Sequence, residues 1–189
     1  MKSSGNTRHP NSRIPLWIVL ASEDNPKACT GRRAIRYALA VEATDRHHPP
    51  PGALLLDPYA STPLSRADSD AATEKGVVAV DCSWNRLSSR GRYPAGGSWL
   101  AALDQRRRLP LVLAANPQHY GRLGELNTAE ALGASVYVLC GREEAKAFLE
   151  RFSFGRSFLE LNGELLERYR DALDGKAIEE AERDWAGQS

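Results

Sequence analysis

Val77-Val78-Ala79-Val80-Asp81-Cys82-Ser83-Trp84-Asn85 is the stretch that decides how this chain is read. Four apolar residues, three of them valine, suit a strand buried on both faces of a parallel sheet. The run then gives way to an acid, a thiol, a hydroxyl and an indole, with no Gly or Pro between them. In open α/β sheets ligands bind just beyond the carboxyl ends of the strands, which is where Asp81 and Trp84 fall. An acid beside an indole suits a cationic ligand or a flat one. A capping Asp followed by a packing Trp accounts for the same nine residues equally well.

Working outward, Leu16 to Ala21 reads as a first strand, Ser22 to Pro26 as a turn, and Thr30-Gly31 as the opening of a helix that runs to about Val41. Thr30 fits a simple N-cap there, although a helix start near a strand end also offers N–H groups to a carboxylate. Pro49-Pro50-Pro51 makes a stiff connection, Ala53 to Asp57 a second short strand, and Ala67 to Glu74 a polar helix. Short apolar strands alternating with helices predict an α/β fold with a mostly parallel sheet. Ser88 to Gly97, rich in Gly, Ser and Arg, reads as an adaptable loop beside the strand end or as a plain surface excursion. Trp99 to Arg107 reads as a short helix and Leu109 to Ala114 as a last strand.

From Thr128 onward the pattern is helical. Thr128 is the expected N-cap of a helix to Cys140, with Gly141 ending it; Val136 to Leu139 alone would also pass for a strand. Glu143 to Phe152, Phe158 to Asn162 and Gly163 to Tyr169 follow as helical segments. The organisation predicted is a disordered tail over residues 1–13, an α/β domain over 14–108 and a mostly helical domain over 109–189.

Charge is balanced, with 25 Lys and Arg against 24 Asp and Glu, so bulk electrostatics point to no nucleic-acid partner. The distribution is more informative. Arg32, Arg33 and Arg36 cluster early, Arg86, Arg90 and Arg92 follow the central strand, and Arg106, Arg107 and Arg108 form a run, whereas Glu179, Glu180 and Glu182 crowd the end. Such asymmetry suits a face laid on RNA, though any one cluster is more commonly a solvated surface. Three scattered cysteines without a CxxC pair indicate a reduced, cytoplasmic setting. The His47-His48 pair in a Pro-rich loop matches no metal-cage spacing, so no metal is expected. No apolar run approaches the ~20 residues that span a bilayer.

A second stretch settles the choice. Leu109-Pro110 through Ala114-Ala115-Asn116-Pro117 to Tyr120-Gly121, taken with Asp81-Cys82-Ser83-Trp84, resembles the aminocarboxypropyltransferases of small-subunit ribosomal RNA, the Tsr3 family. Cys29-Thr30-Gly31, Leu56-Asp57-Pro58, Leu64 to Asp68, Leu126 to Leu132 and Phe152 to Asn162 extend the resemblance in order over roughly residues 16 to 170. His119 stands where the family more often has Asn, and Phe154-Gly155 where Trp-Gly is more usual.

The resemblance implies a SPOUT-like fold with a deep trefoil knot, a monomer, S-adenosylmethionine (SAM) as donor and pre-ribosomal small-subunit rRNA as acceptor. It implies transfer of the 3-amino-3-carboxypropyl group to N3 of N1-methylpseudouridine. It places cofactor contacts at Thr30, Leu56, Pro58, Val80, Trp84, Leu109, Gly124 and Thr128, and it points to Asp81 as the acid beside the reacting carbon. Arg32, Arg33, Arg106 and Arg107 are the expected phosphate contacts. SAM carries three electrophilic carbons on one sulfonium, so which group leaves is a matter of positioning. Trp84 would wall off the methylsulfonium. An aspartate, with an intrinsic pKa of ~3.9, either takes the N3 proton in a site that raises its basicity or orients the imino group. A SPOUT-type methyltransferase and a non-catalytic SAM- and rRNA-binding assembly factor are the two rival readings.

Overall fold

The computed structural model describes residues 14–21, 29–82 and 97–187. The expected tail 1–13, the Ser22–Pro26 turn, Trp84, Arg86, Arg90, Arg92 and all but the last residue of the Ser88–Gly97 loop lie outside them. Among the described residues there are five strands, β1 (Leu16–Leu20), β2 (Val41–Glu42), β3 (Leu54–Leu56), β4 (Val77–Asp81) and β5 (Arg106–Arg107). They form one parallel sheet in the order β2-β1-β4-β3-β5. The central place of β4 follows from its composition, since only a near-continuous apolar run is comfortable with covered faces on both sides.

Side chains alternate across that sheet. Leu16, Ile18, Leu54, Leu56, Val77 and Ala79 enter the main core, while Trp17, Val19, Leu55 and Val78 join a smaller one with Leu100 and Leu103. Gly76 leads the chain into β4 at a φ of 93°, and a Cβ there would lie 2.6 Å from the Pro15 carbonyl oxygen. Only glycine meets both conditions.

Seven helices complete the described chain: α1 (Thr30–Arg36), α2 (Ser69–Lys75), α3 (Ser98–Ala101), α4 (Thr128–Cys140), α5 (Arg142–Leu149), α6 (Gly155–Asp171) and α7 (Gly175–Ala186). Buried Leu132, Val136 and Tyr137 of α4, Phe148 and Leu149 of α5, and Phe158, Leu166 and Tyr169 of α6 supply most of the main core. The stretch 136–139, which also suits a strand, is therefore helix. The segments 158–162 and 163–169 are one helix, with buried Gly163 in its interior, where an added Cβ would meet nothing within 4 Å.

Three expectations are corrected. The first helix stops at Arg36, five residues before Val41. Ala38 adopts a φ of 55°, its N–H bonding the Ile35 carbonyl at 2.9 Å while the Leu39 N–H bonds that of Ala34 at 3.0 Å. This is a Schellman termination with alanine where glycine is usual, and it frees Val41 and Glu42 to pair with β1. The helix expected over 99–107 ends at Ala101, and Arg106–Arg107 instead extends the sheet beside β3.

The third correction is Leu109–Ala114, which belongs to no strand. Its apolar residues are buried as a strand's would be, but its backbone is satisfied by side chains from the C-terminal helices. Leu111 N–H donates to Glu182 (3.0 Å) and its carbonyl accepts from Tyr169 Oη (2.9 Å). Leu113 exchanges both bonds with the Asn162 amide, at 2.8 and 2.9 Å. Ala115 and Asn116 N–H both reach Glu130 at 2.7 Å. The other edge pairs with residues 121–124: Ala114 N–H meets the Arg122 carbonyl and Gly124 N–H the Val112 carbonyl.

Candidate active site

Asp81 ends β4 with both carboxylate oxygens engaged. The Cys29 thiol donates to Oδ2 across 2.6 Å, and the Thr128 hydroxyl donates to Oδ1. These donors come from the residue before α1 and the first residue of α4, so two helix starts converge on one strand end. Cys29 is buried, and its Sγ also accepts the Arg32 N–H at 3.2 Å. It, not Thr30, is the N-cap of α1. Burial and the bond to Asp81 push its thiol up to about 11, so it remains a protonated donor at neutral pH. Gly31 permits this approach: a Cβ there would stand 2.9 Å from Asp81 Cγ.

Asn127, not Thr128, caps α4. Its Oδ1 accepts the Glu130 N–H and Glu130 Oε2 accepts the Asn127 N–H, both at 2.9 Å, closing a capping box. Glu130 has no exposed surface and also takes the Ala115 and Asn116 N–H groups and the Asn116 Nδ2 amide. One buried carboxylate thus ties the helix that carries Thr128 to the turn at Asn116-Pro117. That turn closes through the His119 N–H to Asn116 Oδ1 and the Gly121 N–H to the Ala114 carbonyl.

Around Asp81 opens a cleft of about 1200 Å³. Its walls come from the ends of β3 and β4, the start of α1, the segment after β5 and the start of α4. Thr30, Leu56, Pro58, Val80, Leu109, Gly124 and Thr128 all line it, as do Cys29, Arg33, Asn116 and His119. Apolar Leu56, Pro58, Leu109 and Leu126 offer walls for a flat heterocycle, and the dipole of the 13-residue α4 favours an anionic group at its start. Among the described residues no group of three or more His, Cys, Asp or Glu could hold a metal ion, and no helix is long and apolar enough to cross a membrane.

A model of the family described as "Ribosome biogenesis protein, C-terminal" matches residues 54–186. The 16S rRNA aminocarboxypropyltransferase of Methanopyrus kandleri is 49% identical over 159 residues, covering 82% of this chain and 89% of that protein. The enzyme of the same description from Methanosarcina acetivorans is 40% identical over 172 residues, covering 90% and 94%. The chain belongs to this family. The solved structure of the SAM-dependent rRNA acp-transferase Tsr3 from Vulcanisaeta distributa superposes with a TM-score of 0.74 at 29% identity, over 90% of this chain and 96% of that one.

Within this aminocarboxypropyltransferase family member, the residues expected at the site divide into three groups. Asp81 and seven of the eight expected cofactor contacts share one cleft; the eighth, Trp84, lies outside the described residues. Of the four expected phosphate contacts only Arg33 lines the cleft. Arg106 pairs with Asp57 at 2.9 Å, and Arg107 with Asp68 at 2.9 Å with its side chain only 18% exposed. Arg33 instead joins Arg36 and Arg151 around the Tyr37 ring, at 6.0, 5.4 and 5.2 Å, and the Arg36 and Arg33 guanidiniums pull the Tyr37 phenol below its ordinary range.

Sequence reasoning missed Cys29 and Glu130 as members of the site. The signal for Glu130 was present as Asn127-x-x-Glu130, a capping-box spacing one residue earlier than the Thr128 cap. His119, which stands where the family more often has Asn, lines the cleft with Nδ1 2.8 Å from Glu125 Oε2, a close contact without hydrogen-bond alignment.

Proposed function

We propose that this protein transfers the 3-amino-3-carboxypropyl group of SAM to N3 of N1-methylpseudouridine in small-subunit rRNA during ribosome assembly. The observation that carries the reading is the cleft itself, in which an acid at a strand end is held by two donors among apolar walls. Bound SAM supplies a γ-carbon activated by the sulfonium. In the transfer, the N3–Cγ bond forms as the Cγ–S bond breaks, its electrons pass to sulfur to leave methylthioadenosine, and the N3 proton goes to Asp81. Leu56, Pro58 and Leu109 pack on the adenine, with Gly124 backbone beside it, and the Val80 carbonyl meets the ribose. Thr30 and Thr128 hold the amino-acid arm, and Trp84 shields the methyl group so that the γ-carbon faces the acceptor.

Arg32 and Arg33 contact RNA phosphates in this reading. Arg106 and Arg107 reach phosphate only by exchanging their acidic partners for it. The division at Arg108 gives an α/β half that presents Asp81 and a helical half that closes the pocket. A SPOUT-like arrangement with a deep trefoil knot is what the family resemblance implies, and the parallel sheet agrees with the arrangement. A monomer acting in the cytoplasm completes the proposal.

The test uses SAM labelled separately in its methyl and carboxyl groups, with small-subunit RNA as acceptor. Carboxyl label alone should reach the RNA, and Asp81→Asn should abolish transfer while retaining SAM binding. Methyl label in the RNA would make the protein a methyltransferase. Neither label, despite SAM binding and a correctly modified acceptor, would make it a binding factor.

A further inference from the structure

Cys29 has no role in the reaction as written, yet it touches Asp81 more directly than any cofactor-contact residue except Thr128. We propose that Cys29 is a positioning residue of the transfer site, its thiol fixing the plane of the Asp81 carboxylate for the incoming RNA base. The proposal rests on Asp81 acting in the transfer.

The geometry is specific. Sγ is held at one end by the Arg32 N–H at 3.2 Å and donates at the other to Asp81 Oδ2 at 2.6 Å, so the direction of the S–H bond is set by the first turn of α1. Thr128 donates to the second oxygen from the opposite wall. A carboxylate has about four acceptor sites on its two oxygens, so two donors arrest its rotation and leave the other sites for the imino proton. The thiol is buried, so it approaches Oδ2 from the protein side and leaves the cleft side of the carboxylate open to the base. Gly31, lacking a Cβ, leaves the space that this carboxyl group occupies, since a Cβ there would stand 2.9 Å from Asp81 Cγ.

Sulfur suits this task better than oxygen. A thiol is a weak donor, so it orients the carboxylate while withdrawing little of the electron density that receives the proton. Burial and the neighbouring acid hold the thiol protonated, so its contribution is constant across the neutral range.

The experiment compares wild type, Cys29→Ala, Cys29→Val, Cys29→Ser and Asp81→Asn as full chains. SAM affinity is read by calorimetry, and single-turnover transfer by carboxyl-labelled SAM with saturating RNA. Loss of alignment should slow transfer on the order of 10-fold or more in Cys29→Ala and Cys29→Val, while SAM affinity stays within about 3-fold, a shift of under 1 kcal/mol. Cys29→Ser, which restores a donor, should recover most of the rate. Val keeps the site filled without a donor and covers the case in which the cavity left by Ala prevents folding. Wild-type rates in Cys29→Ala or Cys29→Val overturn the proposal, as does SAM affinity falling in step with the rate or a failure of Ser to rescue. An active Asp81→Asn enzyme would instead sink the reading of Asp81 on which the proposal rests.

Discussion

Gly31 and Ala38 sit at the two ends of α1, and each stands where the other's side chain would serve better or worse. At Gly31 a methyl group would press on the Asp81 carboxyl from 2.9 Å. Gly31→Ala should therefore slow transfer about 10-fold, through displacement of the reacting group, as read by single-turnover transfer with carboxyl-labelled SAM. At Ala38 the backbone is in the left-handed region with φ 55°, a conformation that costs a non-glycine residue ~1–2 kcal/mol. Ala38→Gly should raise stability by about 1 kcal/mol, read as a higher urea midpoint at unchanged slope. These positions also show the limits of reading residues singly. Thr30 and Thr128 are good N-cap types, but the caps are Cys29 and Asn127, one position earlier in both cases. The shift releases both threonines into the cleft; at Asn127 the spacing to Glu130 signals it, whereas at Cys29, an unusual cap residue, only the folded chain reveals it.

Among the elements, Leu109 to Asn116 is the instructive case. Its hydrophobicity is a strand's, and hydrophobicity was all the sequence could report; it carries no record of which partner satisfies the backbone. The partner proves to be a row of side chains, Glu182, Tyr169, Asn162 and Glu130, drawn from α7, α6 and α4. Glu130→Gln would turn an amide N–H₂ toward donors it now accepts from, costing about 3 kcal/mol and weakening SAM binding through the wall that carries Leu109 and Gly124. Urea titration and calorimetry on the one variant check both effects. Asn162→Ala should act on the same wall more mildly, by about 2 kcal/mol, since it orphans Leu113 alone. By contrast β4 and the strand-end position of Asp81 were plain from Val77 to Asp81, because a short apolar run ending in polar groups has few other uses in an α/β chain.

For the whole molecule, the buried phenols set a limit at high pH. Burial and the bond to Glu167 push Tyr137 up to about 12, and burial with the nearby Glu182 charge raises Tyr169 as well. Both keep their protons in the folded chain and lose them near the ordinary value of 10.0 on unfolding. Their contribution is intact below about pH 10 and declines as the pH rises toward the folded values. Thermal midpoints should fall steeply above about pH 10, and Tyr169→Phe should make that slope shallower, though from a lower starting point because the bond to the Leu111 carbonyl is lost. A ligand that binds only the folded chain should raise the midpoint: SAM at about 100 times its Kd adds ~2.7 kcal/mol.

The row of helix side chains along residues 111–116 also imposes an order in time. A chain leaving the ribosome has the five strands of the described residues in hand once Arg107 has emerged, yet the wall facing Asp81 waits for Glu182. Donor binding is therefore deferred until nearly all of the described chain has been translated, and a truncated copy holds the acid without the chamber that makes it useful.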